Sequence, residues 1–262
     1  MTNGSSQGLF VVVAVVIFGI FVAISYTLFR DQLTPSLASI FGDSLEQTSE
    51  KLDGNYVYFA DKLLEQAIQT KLISDGTIKE GDKITKESLL KLEKFEFNGS
   101  SLPLGERVKS IEGLQYAKNI NNLYLGHHQI EDISYLQDLK NLKHLTLGKS
   151  TIKNEDLRYL RKLTKLQTLN VGTCGLSDVS ELRHLKGLIT LSIDTNPITD
   201  VSFINELPNL TNLHLYSTKV KDVTPLLQHP KLSYLDARYN IFEQEDLLQV
   251  IKKIETVILK LA

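Results

Sequence analysis

Between Leu92 and the end of the chain, the phrase L-x-x-L-x-L recurs with a period near 22 residues. It begins at Leu92, Ile120, Leu142, Leu166, Leu188, Leu210, Leu232 and Ile254, so the successive gaps are 28, 22, 24, 22, 22, 22 and 22. Further apolar residues follow each phrase at matching positions, as at Ile198, Val201, Ile204 and Leu207. Self-similarity at a fixed period of this length is typical of stacked repeat architectures.

Within each phrase the alternation L-x-L predicts a short strand with two side chains turned inward. The chain then turns and returns by a helical or extended segment whose apolar residues face the same interior. One unit has no core by itself, but stacked units bury a continuous one. The repeat therefore predicts an α/β solenoid, a horseshoe with a concave parallel sheet of about eight short strands over residues 92–262.

Three residues after the second strand leucine, each unit has a position suited to a side-chain ladder along the stack. Its occupants are His128, Ser150, Cys174, Asn196, Thr218 and Asn240. Every one of these residue types forms at least a weak hydrogen bond, so we expect an irregular ladder. Cys174 is the single cysteine. It excludes an intrachain disulfide, and we expect it to be structural rather than reactive.

Near the N-terminus, residues 9–29 read LFVVVAVVIFGIFVAISYTLF, 21 residues without a charge. At about 1.5 Å per residue they cover the roughly 30 Å of a bilayer core. A transmembrane helix is the simplest interpretation, and a signal peptide cleaved near Ser25 is the alternative. Residues 1–8 carry no lysine or arginine, which disfavours the signal peptide but leaves the repeats free to lie on either side of the membrane.

The segment between the apolar stretch and the repeats divides in two. Residues 30–55 contain Pro35, Gly42 and Gly54 and are interpreted as a stalk or linker. Residues 56–91 are predicted to form a helical N-terminal cap. A helix is expected from Tyr56 to Leu72, and a second short helix is expected to begin after Thr85 as its N-cap.

Several repeats resemble the internalin-type leucine-rich-repeat proteins of bacterial surfaces. NLYLGHHQIEDISYLQDLKNL and LSIDTNPITDVSFINELPNL match that pattern, including an aspartate two residues beyond an Ile or Val, at Asp132, Asp178, Asp200 and Asp222. The stretch from Phe59 to Phe95 resembles the helical cap of such arrays. The chain has no LPxTG signal and no immunoglobulin-like domain. The resemblance therefore implies a surface recognition protein in which residues 9–29 replace the wall anchor.

In such a horseshoe, the non-leucine strand positions face out of the concave side and are free to specify a ligand. The candidate ligand-binding residues are Tyr124, His144, Asn170, His214, Tyr216, Tyr234, Asp236, Arg238 and Tyr239. Six of them crowd the C-terminal end, and Tyr and Arg often carry interface energy. Tyrosine is also simply a good strand residue. Both interpretations of the tyrosines stay open.

No pattern in the sequence indicates catalysis, a metal or a cofactor. There is no Gly-x-Ser-x-Gly turn and no phosphate-binding glycine loop. The charge of −2, from 29 basic and 31 acidic residues mixed along the chain, disfavours nucleic acid. We therefore expect a non-enzymatic, single-pass membrane protein that binds a protein or glycan outside the cytoplasm. A structural scaffold or a cytoplasm-facing regulator is the alternative.

Overall fold

The structure is a computed structural model that describes residues 55–240 and 242–258, except for the side chains of Gln244 and Leu247. These residues belong to one compact unit, Asn55–Ala262. The predicted tail (1–8), the predicted transmembrane segment (9–29) and nearly all of the predicted stalk (30–55) lie outside the described residues. None of the helices formed by the described residues combines the length and the apolar character that crossing a bilayer requires.

One parallel sheet of eight strands runs through the repeats in strictly sequential order. The strands are β1 Lys94–Glu96, β2 Asn122–Tyr124, β3 His144–Thr146, β4 Thr168–Asn170, β5 Thr190–Ser192, β6 Asn212–His214, β7 Tyr234–Asp236 and β8 Thr256–Ile258. Equivalent residues of neighbouring repeats pair, as Leu145 with Leu169 and Leu169 with Leu191. The predicted strand number and register are confirmed.

The core is a column of leucines and related side chains inside the stack. The middle residue of each strand from β1 to β7 is buried, at Phe95, Leu123, Leu145, Leu169, Leu191, Leu213 and Leu235. The apolar residues that follow the strands are buried as well, as Ile204 and Leu207 show. Burying one such side chain contributes roughly 1.5–3 kcal/mol. Because each repeat shares its core with both neighbours, the array is stabilised as a stack rather than unit by unit.

The N-terminal cap begins differently from the sequence prediction. Helix α1 spans Lys62–Ser74, because Asp61 caps it by accepting from the N–H groups of Leu63 (3.0 Å) and Leu64 (3.2 Å). The expected start at Tyr56 is wrong, since Tyr56 forms a β-bridge with Thr85. The second helix, α2 Lys86–Leu89, is capped by Thr85 as predicted.

The return segments after the strands are mostly single turns of 3₁₀ helix. They span Gly99–Ser101, Leu104–Glu106, Leu114–Tyr116, Ser134–Leu136, Asn154–Leu160, Ser180–His184 and Ser202–Glu206, and one is an α-helix, α3 Thr224–Gln228. Asp132, Asp178, Asp200 and Asp222 each accept a hydrogen bond from the backbone N–H two residues later, at 2.7–2.8 Å. The repeated aspartate therefore orders the start of the return segment in these four repeats.

At the C-terminal end, helix α4 spans Gln244–Lys253 and leads into the edge strand β8. Lys253 at the end of α4 reaches back to the preceding repeat, where its Nζ donates to the carbonyls of Leu227 and His229. Val250 of α4 is buried, whereas Leu248 and Ile251 are exposed. This helix therefore closes one side of the last repeat and leaves an apolar face in solvent.

The predicted ladder is present at Asn240, whose amide bonds Thr218 and the carbonyl of Leu215, and equally at Asn196. The Nδ2 of Asn196 donates to the carbonyls of Val171 (2.9 Å) and Ile193 (3.0 Å), and its Oδ1 accepts from the N–H groups of Cys174 and Leu176 (3.0 Å each). Asn196 thus joins two repeats with all of its amide hydrogen-bonding groups engaged.

The rest of the ladder is irregular, as expected. Cys174 forms the expected weak hydrogen bonds, whereas Ser150 differs from the prediction. Cys174 Sγ donates to the carbonyls of Leu147 and Gly172, and burial raises the pKa of its thiol to about 11. The hydroxyl of Ser150 is buried and has no hydrogen-bond partner among the residues that the structure describes. The expectation that every ladder residue is bonded is therefore wrong at Ser150.

A second ladder, which the sequence analysis missed, lies on the side where the strands begin. Asn119, Asn141 and Asn209 occupy the residue before the leucine phrase, and each side-chain amide donates to a carbonyl of the preceding repeat at 2.8–3.1 Å. Lys165 and Lys231 hold the same position in later repeats. Their Nζ atoms donate to Asn141 Oδ1 (2.8 Å) and Asn209 Oδ1 (3.1 Å). We call this array the outer ladder.

Candidate functional site

The candidate site lies on the face of the sheet predicted to be concave, here called the sheet face. The parallel register aligns three columns of outward residues across the repeats, represented in the β6 repeat by Asn212, His214 and Tyr216 in that order. In the second column, Ser192 pairs with His214 and His214 with Asp236. Because neighbouring strands lie about 4.8 Å apart, adjacent members of a column touch. Side chains far apart in sequence therefore form one continuous surface.

At the C-terminal end of the sheet face, Arg238 and Asp236 form a bidentate ion pair. Arg238 Nη2 lies 2.6 Å from Asp236 Oδ2, and Arg238 Nε lies 2.9 Å from Asp236 Oδ1. Asp236 is 5% exposed, whereas the side chain of Arg238 is 41% exposed. The hydrogen bonds from Arg238 lower the pKa of Asp236 and raise that of the guanidinium. The fork geometry fixes the guanidinium plane at the surface.

Aromatic rings surround this ion pair. The Arg238 guanidinium lies 5.4 Å from the centroid of the Tyr216 ring, and Tyr216 meets Tyr239 edge-on with centroids 5.1 Å apart. His214 and Tyr234 form a second ring pair at 5.1 Å. Each of these contacts stabilises the arrangement of the side chains by roughly 0.5–1 kcal/mol. The aromatic and charged side chains are thus held in place before any partner arrives.

The structure brings six of the nine candidate residues together in this group, which we call the C-terminal cluster: His214, Tyr216, Tyr234, Asp236, Arg238 and Tyr239. It does not bring Tyr124, His144 and Asn170 to the same place. Asn170 Oδ1 accepts from the N–H of Gly172 at 2.9 Å, beneath the middle of the face. Asp236 lies under Arg238, so within the cluster it positions another side chain.

A shallow groove that the sequence analysis did not single out lies in the N-terminal half of the sheet face. Gly126, Gly148 and Gly172 form its floor, and Tyr124 and Asp194 are among the residues that line it; it encloses about 150 Å³. A Cβ atom at Gly148 would lie 3.1 Å from Asn170 Oδ1. The third column thus changes from glycines at one end to Tyr216 and Arg238 at the other.

In each repeat from β2 to β7, one non-glycine residue just after the strand adopts a left-handed conformation. These residues are His127, Lys149, Thr173, Thr195, Ser217 and Tyr239, with φ between 52° and 66°. Non-glycine residues rarely adopt this region, and β-branched ones such as Thr173 are the least suited to it. The strained backbone turns these side chains to the rim of the sheet face, where Tyr239 completes the C-terminal cluster.

Three solved structures share this architecture. An internalin (inlF) from Listeria monocytogenes has a TM-score of 0.60 and 28% identity, covering 77% of this chain and 63% of its own length. Internalin C2 (inlC2) of the same species has a TM-score of 0.62 and 24% identity, covering 77% of this chain and 94% of its own. A leucine-rich-repeat protein from Leptospira interrogans has a TM-score of 0.55 and 22% identity, over 67% and 45%.

This chain therefore spans 63% of the length of the inlF structure. No protein-family model matches the sequence, and no curated protein matches it. The likeness to internalin C2 and to the Leptospira protein, at 24% and 22% identity, bears on the fold alone. The sequential parallel sheet, the buried leucine column and these three likenesses agree. The chain has the leucine-rich-repeat fold.

Proposed function

We propose that this chain is a non-catalytic recognition module that binds a protein partner through the C-terminal cluster. The observation that carries the proposal is the fixed guanidinium of Arg238, held by the buried Asp236 and flanked by the ring of Tyr216. Tyr and Arg are the residue types that most often dominate protein interfaces. Their placement at one end of an exposed sheet gives a partner a compact target.

Preorganisation is the physical reason to expect useful affinity from so small a surface. Ordering a flexible side chain at an interface costs roughly 0.5–1.5 kcal/mol. Arg238 and Tyr216 are ordered by contacts within the chain, so much of that cost is met during folding. The cluster also offers donors from Arg238 and hydroxyl groups from its tyrosines. These groups suit a partner surface with carboxylates and carbonyls.

Membrane anchoring completes the proposal. Residues 9–29 are apolar over a length that matches a bilayer, and they precede the repeats by a stalk, so the array would be displayed near a membrane. We propose that the repeats lie outside the cytoplasm. The likeness to an internalin at 28% identity supports this assignment, because the internalin-type resemblance of the repeats implies surface recognition.

Site-specific photocrosslinking in intact cells tests the recognition surface. A benzophenone amino acid replaces Tyr216 or Tyr234 in the full chain, and matched variants carry it at Tyr135 and Tyr159, which are also partly buried but lie on the return segments. We expect a discrete crosslinked protein from the two cluster positions and none from the two control positions. Equal crosslinking from all four positions, or none from any, would contradict the proposal.

A further inference from the structure

A single type of charge dominates the turns that lead into the strands. The five residues immediately before each of the eight strands contain nine lysines, and Glu93 and Glu255 are their only acidic residues. The lysines are Lys91, Lys118, Lys140, Lys143, Lys165, Lys186, Lys231, Lys252 and Lys253. Nine positive and two negative charges give these turns a net charge of +7 in a chain whose total is −2. We call this side of the array the lysine edge.

The parallel register places these turns side by side along the stack. Each repeat advances by one strand spacing of about 4.8 Å, so lysines that lie 22 residues apart in sequence become neighbours. Among the described residues, only Lys186 of this group forms an ion pair with a carboxylate, at 3.3 Å from Glu206. Lys165 and Lys231 are instead held by neutral asparagine oxygens of the outer ladder. The positive charge of the edge is therefore largely uncompensated.

A groove of about 510 Å³ crosses the middle of the lysine edge. Lys143, Lys165 and Lys231 line it together with polar groups such as Thr211. The groove opens at Gly187, where the outer ladder lacks a side chain. A Cβ atom there would lie 2.7 Å from the carbonyl oxygen of Thr164, so the backbone itself excludes a larger residue.

The floor of this groove contains an exposed apolar side chain. Ile189 is 40% exposed and lies in the groove between the lysines. From Lys165 to Lys231 the stack advances three repeats, or about 14 Å, which is the length of about four residues of extended chain. Positive charges at the two ends and an apolar centre therefore match a short extended peptide.

We propose that the lysine edge binds an extended acidic polypeptide segment that carries an apolar residue between its carboxylates. The carboxylates pair with Lys143, Lys165 and Lys231, and the apolar side chain covers Ile189. None of the described residues that line the groove is aromatic and could stack on a nucleic-acid base. A lipid headgroup would satisfy the lysines but leave Ile189 exposed to a polar layer. This surface is separate from the sheet face, so it supplies a second point of contact.

The test uses the full chain in neutral detergent micelles and a fluorescein-labelled peptide, Glu-Glu-Leu-Glu-Glu-Leu-Glu-Glu. Fluorescence anisotropy measures binding at about 50 mM salt, where charge interactions are weakly screened. The variant Lys143→Glu, Lys165→Glu and Lys231→Glu is compared with the control Lys153→Glu, Lys219→Glu and Lys221→Glu. The control changes three exposed lysines in the loops that follow the strands, so both variants have the same net charge.

We expect the groove variant to weaken peptide binding about tenfold or more and the control to change it about twofold or less. Ile189→Ser should weaken the binding of this peptide, but it should not weaken the binding of a peptide that has glycine in place of both leucines. Matching circular dichroism spectra of the two triple variants would establish that both are folded.

Three outcomes would overturn the proposal. One is no binding by the parent chain, and another is an equal loss in both triple variants, which would indicate general charge attraction. The third is displacement of the peptide by oligothymidylate or by phosphatidylglycerol in mixed micelles at a lower concentration of negative charge. That displacement would assign the edge to phosphate-bearing ligands.

Discussion

Arg238 holds the buried carboxylate of Asp236 through two hydrogen bonds, 2.6 Å from Nη2 to Oδ2 and 2.9 Å from Nε to Oδ1. Asp236 ends strand β7, and Arg238 lies two residues further on, so both side chains point to the same face. The pair joins the buried carboxylate of Asp236 to the partly exposed guanidinium of Arg238. It keeps a charged group fixed where a partner could reach it.

The ion pair gives the first prediction. Arg238→Met leaves the carboxylate of Asp236 buried without its main partner, so the free energy of unfolding should fall. The double variant Asp236→Leu, Arg238→Met removes both charges and should recover most of that loss. Urea unfolding followed by circular dichroism measures both variants. A double variant that is less stable than Arg238→Met would contradict this account of the pair.

The ladder gives a second prediction. Asn196→Ala removes four hydrogen bonds and leaves the N–H groups of Cys174 and Leu176 unpaired, so it should lower the free energy of unfolding by about 3 kcal/mol. Ser150→Ala removes a buried hydroxyl that has no partner among the described residues. It should change stability by less than about 0.5 kcal/mol or raise it. Chemical denaturation compares the two, and a large loss at Ser150 would mean that its hydroxyl is bonded.

Two buried histidines predict a dependence of stability on pH. His128 and His229 are fully buried, and burial lowers the pKa of each below 6.5. Each ring accepts a backbone N–H at Nδ1, from Val108 and Lys231 respectively, which requires the neutral form. Because the unfolded chain takes up protons first, stability is full above about pH 6.5 and falls as the pH drops below it.

His229 offers the direct test of this pH dependence, because leucine fills its position in the two preceding repeats, at Leu185 and Leu207. His229→Leu should reduce the drop in melting temperature between about pH 7 and about pH 5. His144→Gln is the matched control, since His144 is exposed in β3. An unchanged drop in the His229 variant, or a reduced drop in the His144 variant, would assign the acid sensitivity to other groups.

The left-handed positions predict a stabilising substitution. Thr173 has φ 57° and is exposed, so Thr173→Gly relieves the steric cost of its Cβ and should raise the free energy of unfolding by about 0.5–1 kcal/mol. Thr168→Gly in strand β4 should instead lower it by a similar amount, because glycine weakens a strand. Thermal unfolding of both variants checks this, and a loss at position 173 would show that the threonine side chain makes compensating contacts.

The proposed anchor predicts the location of the repeats in cells. With an epitope placed after Ala262 of the full chain, protease added to intact cells should remove the tag while a cytoplasmic control protein survives. If the tag survives until the membrane is opened, surface recognition is contradicted in a cell with a single membrane. In a cell with an outer membrane, that result would point to the periplasm instead.

Much of the fold could be predicted because hydrophobic spacing is a local signal. The leucine phrases placed all eight strands and their register, and Thr85 was identified as the cap of α2. The predicted start of α1 is wrong because Phe59 continues the helical spacing of Leu63 and Leu64 to the N-terminal side of Asp61. There the bridge from Tyr56 to Thr85 and the capping by Asp61 decide the conformation. A cap depends on which backbone donors lie near a carboxylate, and apolar spacing does not reveal this.

The candidate site was only partly predictable. The columns of the sheet face follow from the register, so the crowding of Tyr216, Tyr234 and Arg238 could be expected. The burial of Asp236 beneath Arg238 could not, because it depends on how the Arg238 side chain folds back over the carboxylate two residues earlier. Likewise Ser150 and Asn196 occupy equivalent positions. The Asn196 side chain reaches hydrogen-bond partners, whereas the Ser150 hydroxyl has none among the described residues. The longer amide spans the gap between repeats, and the short hydroxyl does not.

The sequence by itself determined the repeat, the stacking order and the buried leucine column, because these depend on spacing along the chain. The sequence alone indicated mixed charges with no basic run. The tertiary structure gathered Lys143, Lys165 and Lys231 onto one edge and opened a groove at Gly187. The physical reason is the rise of about 4.8 Å per repeat. Because lysines that are 22 residues apart in sequence lie one repeat apart in the folded stack, they form one continuous charged surface.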